Sequence, residues 1–412
     1  MKNEIVIVLP EEIAILRDKK YQDAQIDKEE FSIYFKNIIY PYKDEYDIQV
    51  DCDYGRNLGH CWRIDQFADD VEEFDLAIKI YGDFGKLLAQ KSCKVKILEK
   101  CEKENVNLLC IGDSMTRAEI YIQQTVNKAR NISTIGIRNI AYHVNHEGRG
   151  GWKCSHYFDR FADSGDGVSP FLFPVGYSGK EYFGDKAYWE NIASCEFSSR
   201  YSYSGIKPET ISDGMVCLDN GSLYRYNAGR YELIEKNPHF EFSFKKYIER
   251  YNLNKPDMVS LLFGANEFQH ISYENLKKEL KIYLAYLKQM IESIKEYDSS
   301  IKIIVNLPIC GGDQYSWGKA LGCISTAKQY DYCIKMASKA LIENFDKQCE
   351  NGIFICPMLL VCDTDAGFPW EEVKSNIYSD KTYIRCANWV HPSEVGYRQM
   401  GDALAAVINK IR

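Results

Sequence analysis

The stretch NVNLLCIGDSMTRAEIYIQQTV, residues 105–126, decides how the chain is read. An apolar run, Val106 to Ile111, stops at Gly112-Asp113-Ser114, and a helical pattern follows at once. Ala118, Ile122, Thr125 and Ala129 mark one face of that helix, and Thr116 with Glu119 has the T-x-x-E spacing of a capping box. A buried strand that turns directly into a helix leaves Ser114 on the turn, near the positive end of the helix dipole. A serine so placed has an exposed Oγ, and its own N–H can face a developing oxyanion. The same residues also serve as a plain cap. Asp113 is expected to brace the loop by accepting backbone N–H groups.

Downstream, the runs ISTIGIR, DMVSLLF, IKIIVNLP and GIFICP read as further buried strands. Helical stretches lie near 272–298, 324–348 and 393–411. Apolar strands alternating with amphipathic helices predict a parallel sheet with helices on both faces, whose ligands bind beyond the carboxyl ends of the strands. Residues 152–240 break the alternation. They are rich in Tyr, Phe, Trp, Gly and Ser, and MVCLDNGSLYRYNAGRYELI reads as three strands joined by Asn-Gly and Ala-Gly turns. This segment is expected to be an insertion on the catalytic face.

Upstream, the pattern is all-β. EIVIVLP, FSIYFKNIIY, YDIQVDC, LAIKIY and KVKILEK are short, β-branched and aromatic, and IYGDFGKLLAQ carries a hairpin turn. The chain therefore divides into a small β-sandwich over 1–104 and an α/β unit over 105–412, with CEKEN as the junction.

The 412 residues are 45% hydrophobic and 27% charged, as in ordinary globular chains. A net charge of −8 argues against nucleic acid as a partner, because neutralising phosphates needs a basic face. No run of about 18 apolar residues is present, so no membrane partner is expected. The 15 cysteines are scattered with no C-x-x-C pair. They read as buried reduced thiols and point to the cytoplasm, although a secreted chain without its leader would look the same. Oligomeric state is left open.

Three more blocks carry chemistry. NHEGRGGWK (145–153) holds a glycine turn that lets backbone approach a ligand. SLLFGANEF (260–268) ends a strand at Gly264-Ala265-Asn266, where an Asn amide can donate to an oxyanion or simply form a turn. NWVHPSEVGYRQMGDAL (388–404) places His391 in a loop before the last helix. HVNHE (143–147) groups His143, His146 and Glu147, but no further ligand has matching spacing, so neither a metal nor a cofactor is expected.

Taken in order, Gly-Asp-Ser, a glycine turn, Gly-x-Asn and His-Pro resemble the four blocks of the SGNH, or GDSL-like, serine hydrolases over residues 105–412. The resemblance implies a three-layer α/β/α, flavodoxin-like hydrolase domain. It implies Ser114 as nucleophile and His391 as general base. The N–H groups of Ser114 and Gly151, with the Asn266 amide, would form the oxyanion hole. Trp152, Glu267 and Trp389, beside these blocks, are expected to contact substrate. The family usually carries Asp three residues before the histidine, and here Asn388 stands there. Three readings stay open: Asn388 as a weaker third member accepting a hydrogen bond from the imidazole, a Ser-His dyad whose histidine a backbone carbonyl orients instead, or loss of most activity. Amidating the acid in the Ser-His-Asp template lowers kcat about 10⁴-fold.

The aromatics Trp152, Tyr157, Phe158, Tyr182, Tyr188, Trp189, Tyr201 and Tyr203, set among Gly, Ser and Asn, offer flat faces suited to sugar rings, or else form the insertion's own core. The expected reaction is acyl-enzyme hydrolysis of an acylated, principally acetylated, saccharide or another small ester. A lipase or thioesterase, and a non-catalytic glycan-binding protein, are the alternatives.

Overall fold

A strand buried on both faces must be apolar at successive positions, whereas one with a wet face alternates. Both patterns occur in the computed structural model of the chain, which describes residues 5–17, 30–65, 71–101, 105–160, 162, 168–186, 202–203, 211–312 and 325–412. In the amino-terminal region, β1 (Glu12–Arg17), β2 (Phe31–Tyr34), α1 (Phe35–Ile38), β3 (Asp47–Asp51), β4 (Cys61–Ile64), β5 (Glu73–Tyr81) and β6 (Leu87–Glu99) follow in sequence. One sheet has the order β1-β6-β5-β3, and a second is built on β2 and β4. Period-two burial runs along β5, where Leu76, Ile78 and Ile80 are buried and their neighbours are not. The predicted hairpin joins β5 to β6 through Asp83–Gly85. FSIYFKNIIY is not one strand, because its middle winds into the single helical turn α1, which buries Phe35, Asn37 and Ile38.

The second region has the expected alternation. Its elements are β7 (Val106–Gly112), α2 (Ser114–Arg117), α3 (Ile120–Ala129), β8 (Ile132–Ile135), β9 (Glu147–Gly148), the meander β10 (Val216–Asp219), β11 (Ser222–Asn227) and β12 (Arg230–Lys236), then β13 (Met258–Leu262), α4 (Ala265–Phe268), α5 (Leu276–Tyr297), β14 (Lys302–Asn306), α6 (Ala327–Phe345), β15 (Ile353–Cys356), α7 (Met358–Val361), the hairpin β16 (Trp370–Lys374) and β17 (Thr382–Cys386), and α8 (Glu394–Ile411). The parallel sheet runs β8-β7-β13-β14-β15 and is flanked by helices. Leu108 to Ile111 are buried without alternation, as a strand covered on both faces requires.

Register sets the site. Gly112 of β7 pairs with Leu262 of β13, so the segments that follow, 113–114 and 264–266, leave the sheet side by side. On the other side Gly112 pairs with Gly148, which brings the glycine turn to the same strand end. The last helix is held against α3 by Gly401. A Cβ there would lie 2.6 Å from the Tyr121 oxygen, and Thr125 donates to the Gly401 carbonyl at 3.1 Å. This packing brings the loop before α8 over α2. The meander turns are as predicted, with Asn220-Gly221 and Ala228-Gly229 all at positive φ.

The two regions are tied by a buried polar anchor. The Asn37 amide donates to the Leu359 and Cys362 carbonyls at 2.9 and 2.7 Å and accepts from the Thr364 hydroxyl at 3.1 Å. Lys335 of α6 donates to the Ile39 carbonyl at 3.0 Å.

Candidate active site

Ser114 is the first residue of α2, and Asp113 is its N-cap, accepting the Met115 N–H at 2.9 Å. The predicted brace is therefore present. Burial pushes the Asp113 carboxyl up to about 8, reinforced by the nearby Glu267. The predicted capping box is not present. Thr116 instead pairs its hydroxyl with that of Tyr121 at 3.0 Å, and Glu119 takes a left-handed conformation (φ 64°) that separates α2 from α3. The Glu119 carboxylate turns away from the helix and accepts the backbone N–H groups of Ile140, Ala141 and Tyr142, and it meets His146 Nε2 at 3.0 Å.

That clamp fixes the glycine turn. His146 Nδ1 accepts the Gly148 N–H at 2.8 Å, so its proton lies on Nε2 and points to Glu119. Burial lowers the His146 pKa and outweighs the raising effect of Glu119. Glu147 is equally committed, accepting from Ile137 N–H, Tyr247 hydroxyl and Arg149 at 2.9, 2.7 and 3.0 Å. The HVNHE residues thus build the turn. A Cβ at Gly148 would lie 2.3 Å from the Arg117 nitrogen, so only glycine lets this strand end approach α2. Sequence reasoning misses this arrangement, since the T-x-x-E spacing points its key residue, Glu119, at a cap.

Gly151 (φ 73°) sits exposed in the turn that the Trp152 N–H closes on the Arg149 carbonyl. The Asn266 amide donates to the Trp152 carbonyl at 2.9 Å and accepts from Gln269 at 3.0 Å, which fixes which end of the amide is which. Its strand-end turn depends on Gly264 (φ 131°), where a Cβ would lie 2.7 Å from Pro308.

His391 Nε2 lies 2.8 Å from Ser114 Oγ, across 277 residues of chain. Burial and the positive Arg117 hold the imidazole below its ordinary pKa, which keeps it neutral at pH 7. Asn388 reaches the ring, though not with the atom expected. Its oxygen accepts the backbone N–H groups of Val390 and His391 at 3.1 and 3.0 Å, leaving the amide nitrogen to face His391 Nδ1 at 3.3 Å. Reversing the amide would set NH₂ against two N–H donors, so the backbone dictates this orientation.

Three expected substrate contacts are corrected. Trp152 is fully buried, edge-on to Tyr157 with ring centroids 4.9 Å apart. Trp389 is 2% exposed and packs edge-on to Tyr330. Glu267 is 3% exposed, and both its oxygens accept backbone N–H groups, from Cys154 at 2.6 Å and Gly264 at 2.9 Å. Burial raises its pKa to about 7. Apolar bulk and backbone donors claim these side chains before any ligand. Tyr157 and Tyr182 are likewise core residues, and Phe158 stacks on Phe242. Tyr188, Trp189, Tyr201 and the side chain of Tyr203 lie outside the described residues.

A family model of GDSL-like lipases and acylhydrolases matches residues 108–404. The chain belongs to this family, which is one of ester hydrolases. Among solved structures it is similar to a possible lipase from Chitinophaga pinensis, at 12% identity and a TM-score of 0.34 over 74% of this chain and 99% of that one. A family 3 carbohydrate esterase from Clostridium thermocellum gives 13% and 0.33 over 75% and 98%. A GDSL-like lipase from Parabacteroides merdae gives 11% and 0.33 over 76% and 100%. No curated protein matches the chain. Among the described residues no helix is long and apolar enough to cross a membrane.

Proposed function

We propose that the chain is a serine esterase that removes acyl groups, principally acetyl, from a carbohydrate. The 2.8 Å contact between Ser114 Oγ and His391 Nε2 carries this reading. Ser114 Oγ attacks the ester carbonyl, forming an O–C bond while its proton passes to His391. The carbonyl electrons move to an oxyanion held by the Ser114 and Gly151 N–H groups and by Asn266, whose amide spends one of its two N–H groups on Trp152. Collapse expels the sugar alkoxide, which takes the proton from His391. Water then attacks the acyl-enzyme with His391 again as base, releasing the acid and regenerating Ser114. No step calls for a cofactor.

The Asn388 amide bears on rate. Facing an NH₂ donor, Nδ1 carries a lone pair and the imidazole proton rests on Nε2, donated to Ser114. Base function needs the other tautomer, whose Nδ1–H finds no acceptor on Asn388. Turnover therefore passes through a minor tautomer, and the enzyme is slow by the standards of a Ser-His-Asp site.

That same contact favours one other reading, a binding protein that keeps the fold without turnover. A fluorophosphonate probe separates the two. Labelling of wild type that disappears in Ser114→Ala establishes an activated serine, and absence of labelling on folded protein rejects the esterase. Acetate release from acetyl-xylan and acetylated chito-oligosaccharides, against fatty acyl esters, tests the substrate class.

A further inference from the structure

Beside the catalytic loop lies a cleft of about 1320 Å³ between the amino-terminal region, the loop after β14 and the hairpin β16–β17. Ordinary small-molecule pockets hold about 300–1,000 Å³, so the space suits an oligomer. Its floor is bonded to the loop that carries the imidazole, for the Gly312 N–H donates to the Trp389 carbonyl at 2.9 Å, two residues before His391. Apolar and aromatic side chains line it from three directions: Tyr40 and Tyr42 from the amino-terminal region, Tyr273 from the loop before α5, and Trp370 with Ile384 from the hairpin face that also carries Cys386, whose sulfur lies against Gly312. Tyr40 is fixed by its ring contact with Tyr332 at 4.6 Å, and Tyr273 meets the same ring at 5.3 Å. Trp370 and Ile384 are 40% and 70% exposed, so this face of the hairpin leaves apolar surface in water.

Charge selects the kind of occupant. The ionised groups along the cleft are largely paired with one another or with neighbours: Lys36 with Asp365 at 2.8 Å, Lys43 with Glu45 at 3.3 Å, Asp331 with Lys335 at 2.8 Å, and Arg385 with Glu371. Asp44 and Lys328, also on the lining, are of opposite sign, so among the described residues the cleft holds flat apolar faces with hydroxyl edges and balanced charge. A neutral sugar chain has the matching chemistry, with C–H faces for the rings and hydroxyl edges for the polar groups.

We propose that this cleft binds a neutral oligosaccharide, and that it takes the sugar chain on the alcohol side of the scissile ester while Ser114 handles the acyl group. The assignment of the sugar chain to the alcohol side rests on the esterase reading above; binding itself does not. The experiment combines a Trp370→Ala/Ile384→Ala double variant, altered only at exposed positions on one face of the hairpin, with two measurements. The first is calorimetric binding of unacetylated xylohexaose, cellohexaose and chitohexaose to Ser114→Ala full-length chain, with and without the hairpin changes. The second is hydrolysis of acetylated xylo-oligosaccharide and of nitrophenyl acetate by chains that keep Ser114.

Binding of at least one hexaose, weakened about tenfold or more by the hairpin changes, is expected. KM for the acetylated oligosaccharide should rise to a similar degree, with kcat/KM for nitrophenyl acetate unchanged within about twofold. Absence of hexaose binding, or binding indifferent to the hairpin, overturns the proposal whatever the esterase assays give. Hairpin-dependent binding without acetate release from any oligosaccharide keeps the cleft and rejects the carbohydrate-esterase reading.

Discussion

The Asn388 amide meets His391 nitrogen-first: Nδ2 faces Nδ1 at 3.3 Å while Oδ1 is held by the N–H groups of residues 390 and 391. A carboxylate at 388 would keep those two N–H bonds through one oxygen and present the other as an acceptor to Nδ1–H. Asn388→Asp should therefore raise kcat, by about tenfold or more given the roughly 10⁴-fold effect of the reverse change in the Ser-His-Asp template. Steady-state hydrolysis of nitrophenyl acetate measures it, and a loss of activity would mean that the amide contributes something other than a misplaced donor.

The pH profile follows from the same ring. In the proposed mechanism His391 accepts a proton only when neutral, and burial with Arg117 holds its pKa below the ordinary 6.5. Activity should therefore be flat near neutral pH and fall on acidification with a midpoint below 6.5. In Asn388→Asp the added negative charge stabilises the imidazolium, so the midpoint moves upward. Profiles of kcat/KM for both proteins check the order.

Gly148 gives a steric prediction. Alanine there would drive its Cβ into the Thr116–Arg117 backbone, at 2.6 and 2.3 Å, and shift α2 with Ser114 on it. A displacement of about 1 Å costs about 10²-fold in rate, so Gly148→Ala should lose kcat to that extent while remaining folded by circular dichroism. Near-wild-type kcat would separate the glycine turn from the site.

Glu119 is a stability prediction. Glu119→Ala leaves three partly buried backbone N–H groups and the buried His146 ring without their acceptor. Chemical denaturation should show a loss of about 1–3 kcal/mol, with Glu119→Gln intermediate because its one oxygen still accepts.

Asp113 links stability to pH. Folded, it titrates at about 8; unfolded, near 3.8. The folded chain binds the extra proton between these values, so this contribution is complete below 3.8, declines as pH rises and levels off above about 8. A carboxamide in its place would keep the cap and stay neutral. Asp113→Asn should gain thermal stability over wild type progressively from about pH 4 to about pH 8, by about a few degrees at the upper end. Glu267, raised to about 7, acts in the same direction and remains, so the slope shrinks without vanishing.

The sheet and the serine–histidine pair are legible in the sequence because each rests on local chemistry. Val106–Ile111 is apolar at nearly every position, Gly112-Asp113 stops it, and Asn220-Gly221 forces a tight turn. The resemblance of the blocks supplies the pairing of Ser114 with His391, and the contact is present at 2.8 Å. What fails depends on neighbours remote in sequence. Glu267 looks available until Cys154, 113 residues away, supplies an N–H. Trp152 and Trp389 resemble ligand platforms because apolar bulk looks the same in a core and at a surface. Glu119 has the right spacing for a cap, and a positive φ sends its side chain elsewhere. The direction of the Asn388 amide is set by two backbone hydrogens that no pattern of letters records.

The Asn37 anchor has a mechanical consequence. Its partners, the carbonyls at 359 and 362 and the hydroxyl of Thr364, belong to the segment leading to Gly367, whose carbonyl accepts the Ser393 N–H just beyond His391. The Asn37 side chain thus steadies the loop that carries His391. Exchanging the amino-terminal region as a cassette would strip these three bonds from the segment that leads to Gly367.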